Sequence, residues 1–180
     1  TEASFTIPSD QSYVNKYIRL TAVSTDSRGG TTEFASSVQQ VANVNDKPVF
    51  VSNPILVVNE DSIYTYNITV TDEDNDICTI TASTLPNFLT LTDNGNNTAT
   101  LTGTPLQDNL GNNSVILVAT DPSGGSTNQE FTINVFNVND KSRFISTPIL
   151  TTNEDSIYTY NITVEDEDNE ICAITALTLP

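Results

Sequence analysis

Apolar and polar residues alternate with a period of two along much of this chain. In "SIYTYNITV", Tyr64, Tyr66, Ile68 and Val70 share one face while Thr65, Asn67 and Thr69 share the other, as in a half-buried strand. "FTINV" repeats the alternation through Phe131, Ile133 and Val135. Thr, Val, Ile and Tyr fill these runs, and clusters of Asn, Asp, Gly and Pro separate them. No segment carries a helical period. The pattern predicts strands near 53–58, 62–70, 77–82, 88–92, 97–102, 113–119 and 128–137. Seven short strands between Asn, Asp and Gly turns predict an all-β, immunoglobulin-like Greek-key sandwich.

The pattern also repeats at long range. "NDKPVFVSNPILVVNEDSIYTYNITVTDEDNDICTITASTLP" at 45–86 aligns without a gap with "NDKSRFISTPILTTNEDSIYTYNITVEDEDNEICAITALTLP" at 139–180. "VSTDSRGG" at 23–30 is echoed by "VATDPSGG" at 118–125, and "NVND" closes both stretches. Residues 1–46 therefore read as the back part of one repeat, 47–140 as a complete repeat and 141–180 as the front part of the next. The expectation is a window on a continuous array of sandwiches stacked end to end. Its alternative is complementation between copies, in which 143–180 of one chain supplies the first strands for 1–45 of another and Asp26 meets Asp166 and Asp168.

Strand direction then places the turns. If seven strands alternate in direction, the first and the last run the same way, so the chain enters a repeat at one end and leaves at the other. "TDEDND", "TDNGNN" and "TDPSGG" lie at the entry end, where the preceding "NVND" arrives. "NED", "TLP" and "GTPLQDNLGNN" lie at the exit end, beside the "NVND" that leaves. Carboxylates gather at the joints.

Charge gives that placement a chemical meaning. The 180 residues hold 23 acids against 6 bases, a net charge of −17 with pI near 4.1. Such a surface disfavours nucleic acid and anionic lipid as partners, since both require Lys and Arg. No apolar run approaches the roughly 18 residues of a membrane span, and no signal peptide opens the sequence. His, Met and Trp are absent, which removes the commonest catalytic base and the imidazole ligand of transition metals. A joint rich in carboxylate, amide and backbone oxygens suits calcium, which takes six to eight oxygen ligands in flexible geometry. One polar loop alone is explained by turn chemistry. A D-x-D, a Thr-Asp-x-x-Gly-Gly and an Asn-Asp linker converging on one joint are not.

"NVNDKPVF", "NED", "VTDEDND" and "VATDPSGG" resemble the ordered motifs of cadherin repeats. "LPNFLTLTDNGNNTATLTGTP" resembles instead the dystroglycan-type, cadherin-like modules, also classed as immunoglobulin-like, of giant bacterial surface adhesins. The resemblance spans essentially the whole chain and implies calcium (Ca2+) between successive sandwiches. Carried over by position, the first joint would use Asn45, Asp46, Asp72, Asp74 and Asp121, and the second Glu60, Asn139, Asp140, Asp166 and Asp168. Two departures argue against three ions per joint. The first linker Asp is Asn43 or Asn137, and Gly103-Thr104-Pro105 replaces an acidic D-R-E. The expectation is one well-formed ion per joint, with a second at Glu60. Lys141-Ser142 in place of Lys47-Pro48 makes the second linker the less stiff.

The implied function is mechanical. The resemblance implies a structural stalk segment of a large extracellular, cell-surface adhesin, stiffened by calcium and extending a distal binding tip. Its partners are neighbouring repeats of the same chain and further copies in a filament, with neither nucleic acid nor membrane contacted by this segment. The alternative is a carbohydrate-binding or cell–cell adhesive module, for which Tyr13 and Tyr17 are the aromatic candidates. Paired carboxylates also serve glycoside hydrolysis, but here they recur at every joint, and the reading is not enzymatic. Cys78 and Cys172 occupy equivalent positions of successive repeats, too far apart for a disulfide. Cys78, in phase with Ile80, reads as core rather than as an intermolecular bridge. Asn67, Asn96, Asn112 and Asn161 begin sequons of a kind that Asn- and Thr-rich chains make by chance, and isopeptide bonds from Lys16, Lys47 or Lys141 are disfavoured because two of these lie in linkers.

Overall fold

Burial follows the period-two pattern closely. Along Tyr64–Thr71 buried and exposed residues alternate without a break, and Tyr64, Tyr66, Ile68 and Val70 point inward as expected. The computed structural model describes residues 6–7, 12–19 and 21–178. Parts of the predicted first and third repeats (1–5, 8–11, Leu20 and 179–180) lie outside the described residues.

Among the described residues, four strands precede the complete repeat: β1 (Tyr17–Ile18), β2 (Thr21–Thr25), β3 (Thr31–Ala35) and β4 (Gln39–Gln40). β1 pairs with β4 and β2 with β3, both antiparallel, and β2 is exposed throughout. The complete repeat holds β5 (Val49–Phe50), β6 (Val57–Asn59), β7 (Tyr64–Thr71), β8 (Thr79–Thr84), β9 (Leu89–Asp93), β10 (Thr98–Gly103), β11 (Gly111–Thr120) and β12 (Ser126–Phe136). A short 3₁₀ turn at Gln107–Asn109 links β10 to β11. β13 (Arg143–Phe144) and β14 (Val164–Glu165) follow.

Two four-stranded sheets face each other, in the orders β5-β7-β10-β9 and β6-β12-β11-β8. This is the Greek-key order of an immunoglobulin-like sandwich. Six of the seven predicted strands lie where the alternation puts them. The first does not: 53–58 is mostly irregular, and the strand is split into β5 on one sheet and β6 on the other. Pro54 explains the break, since it lacks an amide donor and biases Asn53 before it. β6 runs parallel to β12, and every other pairing is antiparallel. First and last strands therefore share a direction, and the chain enters at one end of the sandwich and leaves at the other.

Between the sheets Tyr64, Tyr66, Ile68 and Val70 pack with Leu101, Val115, Leu117, Ile133, Val135 and their neighbours. Cys78 is buried in this core and free, as its phase with Ile80 predicts. Tyr66 also ties the two sheets together. Its ring meets Phe131 edge-on at 5.9 Å, and its hydroxyl lies 3.0 Å from both the Ser52 carbonyl and Gln129 Oε1, between which its one proton is shared. The next repeat copies this arrangement: Tyr160 Oη donates to the Ser146 carbonyl at 3.1 Å, and Thr163 N donates to Ser146 Oγ at 2.9 Å. The front of that repeat thus adopts the local geometry of the complete one.

Candidate metal sites at the joints between repeats

The loop after β7 folds around its own first carboxylate. Asp72 Oδ1 accepts from Asp74 N at 2.9 Å and Asp76 N at 3.3 Å, and Asn75 takes a left-handed φ of 62° to close the turn. Asn97, from the turn between β9 and β10, braces the loop from behind. Its Oδ1 accepts from Cys78 N at 2.7 Å, and its Nδ2 donates to the Asp76 carbonyl at 2.9 Å. Thus fixed, Asp72, Asp74 and Asp76 present carboxylate oxygens all within 4.8 Å of one another. Desolvation, and then the charges of Asp72, Asp74 and Asp121, push the Asp76 carboxyl above its ordinary pKa.

The preceding linker docks onto this loop. Asp46 N donates to Asp74 Oδ2 at 2.7 Å, and Asn43 Nδ2 to Asp74 Oδ1 at 2.8 Å. Asn45 Nδ2 donates to Asp121 Oδ2 at 2.9 Å. Asp121 is buried, and its Oδ1 accepts from the amides of Ser123 and Gly125. The Asn45 amide, followed by the Gly125, Ser123 and Gly124 amides, holds its carboxyl below the usual range against the opposing effect of burial. The paired glycines make this possible. Gly124 supplies a φ of 93°, and a Cβ at Gly125 would collide with the Asp121 carboxylate and lie 3.0 Å from Asn45 Nδ2. Asp26 repeats the turn one repeat earlier, accepting from Arg28 N and Gly30 N.

The second joint assembles carboxylates from three separate places. Glu60 is 1% exposed, and its Oε1 accepts from Val138 N of the outgoing linker at 2.7 Å. Asp140 N donates to Asp168 Oδ2 at 2.6 Å, matching the Asp46–Asp74 contact. Glu60, Asp140 and Asp168 bring one carboxylate oxygen each within 4.8 Å of the others. Desolvation, then the charges of Asp61, Asp168 and Asp166, raise the Asp140 pKa. Glu167 is raised as well, by desolvation and then by Asp140, Asp61, Glu60 and Asp168. Three converging carboxylates repel strongly unless a cation lies among them, and an all-oxygen donor set fits calcium rather than zinc or copper.

Of the residues expected at the joints, the structure brings Asp72 with Asp74, Asn45 with Asp121, and Glu60 with Asp140 and Asp168. Asp46 reaches Asp74 through its backbone amide. Asp166 holds its own loop by accepting from Glu170 N at 3.3 Å, and Asn139 donates to the Asp140 carbonyl at 3.0 Å. Two joint residues were not foreseen. Asp76 completes the first cluster, a role signalled by the acid at the equivalent position, Glu170. Gln107, on the 3₁₀ turn, donates through Nε2 to the Glu167 carbonyl at 3.1 Å and so bridges the second joint. Two clefts, of about 340 and 480 Å³, open at this joint around Asp140 and Lys141, and no aromatic is among the described residues that line them.

A family profile described as "Putative Ig domain" matches residues 47–136, half of the chain. No curated protein sequence matches. Among solved structures, the endo-fucoidan hydrolase MfFcnA4 from glycoside hydrolase family 107 shares 27% identity over 60% of this chain and 17% of its own, with a TM-score of 0.44. The SrpA adhesin from Streptococcus sanguinis shares 16% over 54% of this chain and 61% of its own, at 0.48. Titin domain M7 shares 16% over 53% of this chain and 99% of its own, at 0.39. The chain thus spans less than two thirds of the hydrolase and of the adhesin. Its matched residues run from just before β5 to the end of β12, the whole two-sheet sandwich, and the chain belongs to the Putative Ig domain family.

Proposed function

We propose that this chain is a stalk segment of a large extracellular adhesin, in which calcium bound between successive immunoglobulin-like sandwiches sets the joint angle and stiffens the array. The observation that carries this reading is the convergence of Glu60, Asp140 and Asp168, contributed by one repeat, its outgoing linker and the next repeat. A cation there ties three segments that are otherwise joined only by the chain and a few hydrogen bonds. The first joint would use Asn45, Asp46, Asp72, Asp74 and Asp121 with the added Asp76; the second would use Glu60, Asn139, Asp140, Asp166 and Asp168. The role is mechanical rather than catalytic, and the repeats act on each other and on neighbouring copies in a surface filament.

Extracellular calcium modules bind at roughly 10⁻⁴ to 10⁻³ M. Raising calcium through that range should increase both the melting temperature and the scattering-derived length of the 180-residue protein. Asp72→Ala should remove the response of the first joint only, and Asp166→Ala that of the second. Melting and scattering curves that superimpose with and without a chelator would overturn the reading.

A further inference from the structure

The described residues contain two buried side-chain oxygens without a hydrogen-bond partner, Gln107 Oε1 and Asp168 Oδ1. Both belong to the second joint. We propose that Gln107 contributes its amide oxygen to the cation site there, so that the turn between β10 and β11 of one repeat clamps the acidic loop of the next through a shared ion. The proposal rests on the calcium reading given above and adds to it a ligand from a fourth segment, the turn at 107–109.

The Gln107 amide is oriented by its donation to the Glu167 carbonyl at 3.1 Å. The flipped amide would set carbonyl against carbonyl, so the end left unpartnered is the oxygen. Its acceptor lies one residue before Asp168, whose Oδ2 takes the Asp140 amide and whose Oδ1 is the other orphan. The turn is firmly held. Leu106 N donates to Asn109 Oδ1 at 2.9 Å, and Asp61 N to the Pro105 carbonyl at 2.9 Å. The latter bond couples it to the turn that carries Glu60.

Buried oxygens without a donor are rare and unfavourable, and each calls for an unseen partner. A hard cation satisfies both at once. Calcium accepts Gln carbonyls together with carboxylates, and a neutral oxygen raises the ligand count without adding to the repulsion among Glu60, Asp140 and Asp168.

The test uses the 180-residue protein carrying Asp72→Ala, which silences the first joint, with calorimetric calcium titration and melting in calcium and in chelator. Gln107→Ala should weaken calcium binding about tenfold or more and narrow the melting gain from calcium. Gln107→Glu keeps an oxygen but adds a charge, so it should retain calcium binding while lowering the melting temperature in chelator. Identical titrations for Gln107→Ala and its parent would overturn the proposal. So would equal losses of melting temperature in calcium and in chelator, which would leave Gln107 bonded to Glu167 and a bridging water only. If the parent itself takes up no calcium, the joint reading fails first and the assignment of Gln107 falls with it.

Discussion

Single atoms decide how closely the linker approaches the sandwich. Asp121 receives the Asn45 amide because Gly125 leaves room where a Cβ would meet both side chains. Gly125→Ala should therefore push the Asp121 carboxylate off the linker and destabilise the protein by about 1–3 kcal/mol. Urea midpoints would measure the loss, and faster amide exchange at Ser123 and Gly125 would locate it. The motif that carries this contact was legible in the sequence, since Thr-Asp-x-x-Gly-Gly and Asn-Asp each recur. What the sequence hid is long-range. Gln107 looks like any polar turn residue until the fold sets it 3.1 Å from the Glu167 carbonyl, 60 positions away.

At the level of elements, alternation was the strongest guide, because one inward face per strand is a local property. β7 shows this in full, with every second residue buried. The first strand was misplaced because alternation alone does not register the break at Pro54, after which each half takes its own partner: Val49 and Phe50 pair with β7, Val57 to Asn59 with β12. Tyr66 binds the two sheets across that division. Tyr66→Phe keeps the ring against Phe131 but removes the proton that the Ser52 carbonyl and Gln129 Oε1 share. We expect a loss of about 1–3 kcal/mol in urea unfolding. A change within about 0.5 kcal/mol would mean that water replaces the hydroxyl without penalty.

For the whole molecule, the excess of 23 acids over 6 bases is distributed so that the joints, rather than the cores, carry the strain. The inner face between the sheets is apolar, and of the described buried residues only Glu60 and Asp121 are acidic, both turned toward linkers. This arrangement gives the joints a pH response of definite sign. Asp140 and Glu167 have raised pKa values in the folded protein, so their ionised forms oppose the native joint. That penalty is fully present at neutral pH. It is relieved as pH falls through the raised values toward the ordinary carboxylate range of about 4. Asp26 and Asp121 have lowered values and behave in the opposite way: their contribution is present above the ordinary range and is lost as pH falls through the depressed values. In chelator, acidification from neutrality should therefore first lengthen and steady the protein in scattering, as added calcium is expected to do. Only at lower pH, when the Asp26 and Asp121 turns protonate, should melting temperatures fall. With calcium saturating the joints, the first phase should vanish, because the cation already offsets the repulsion that protons would relieve. A scattering length that decreases steadily from neutral pH downward in chelator would show that carboxylate repulsion does not govern the joints.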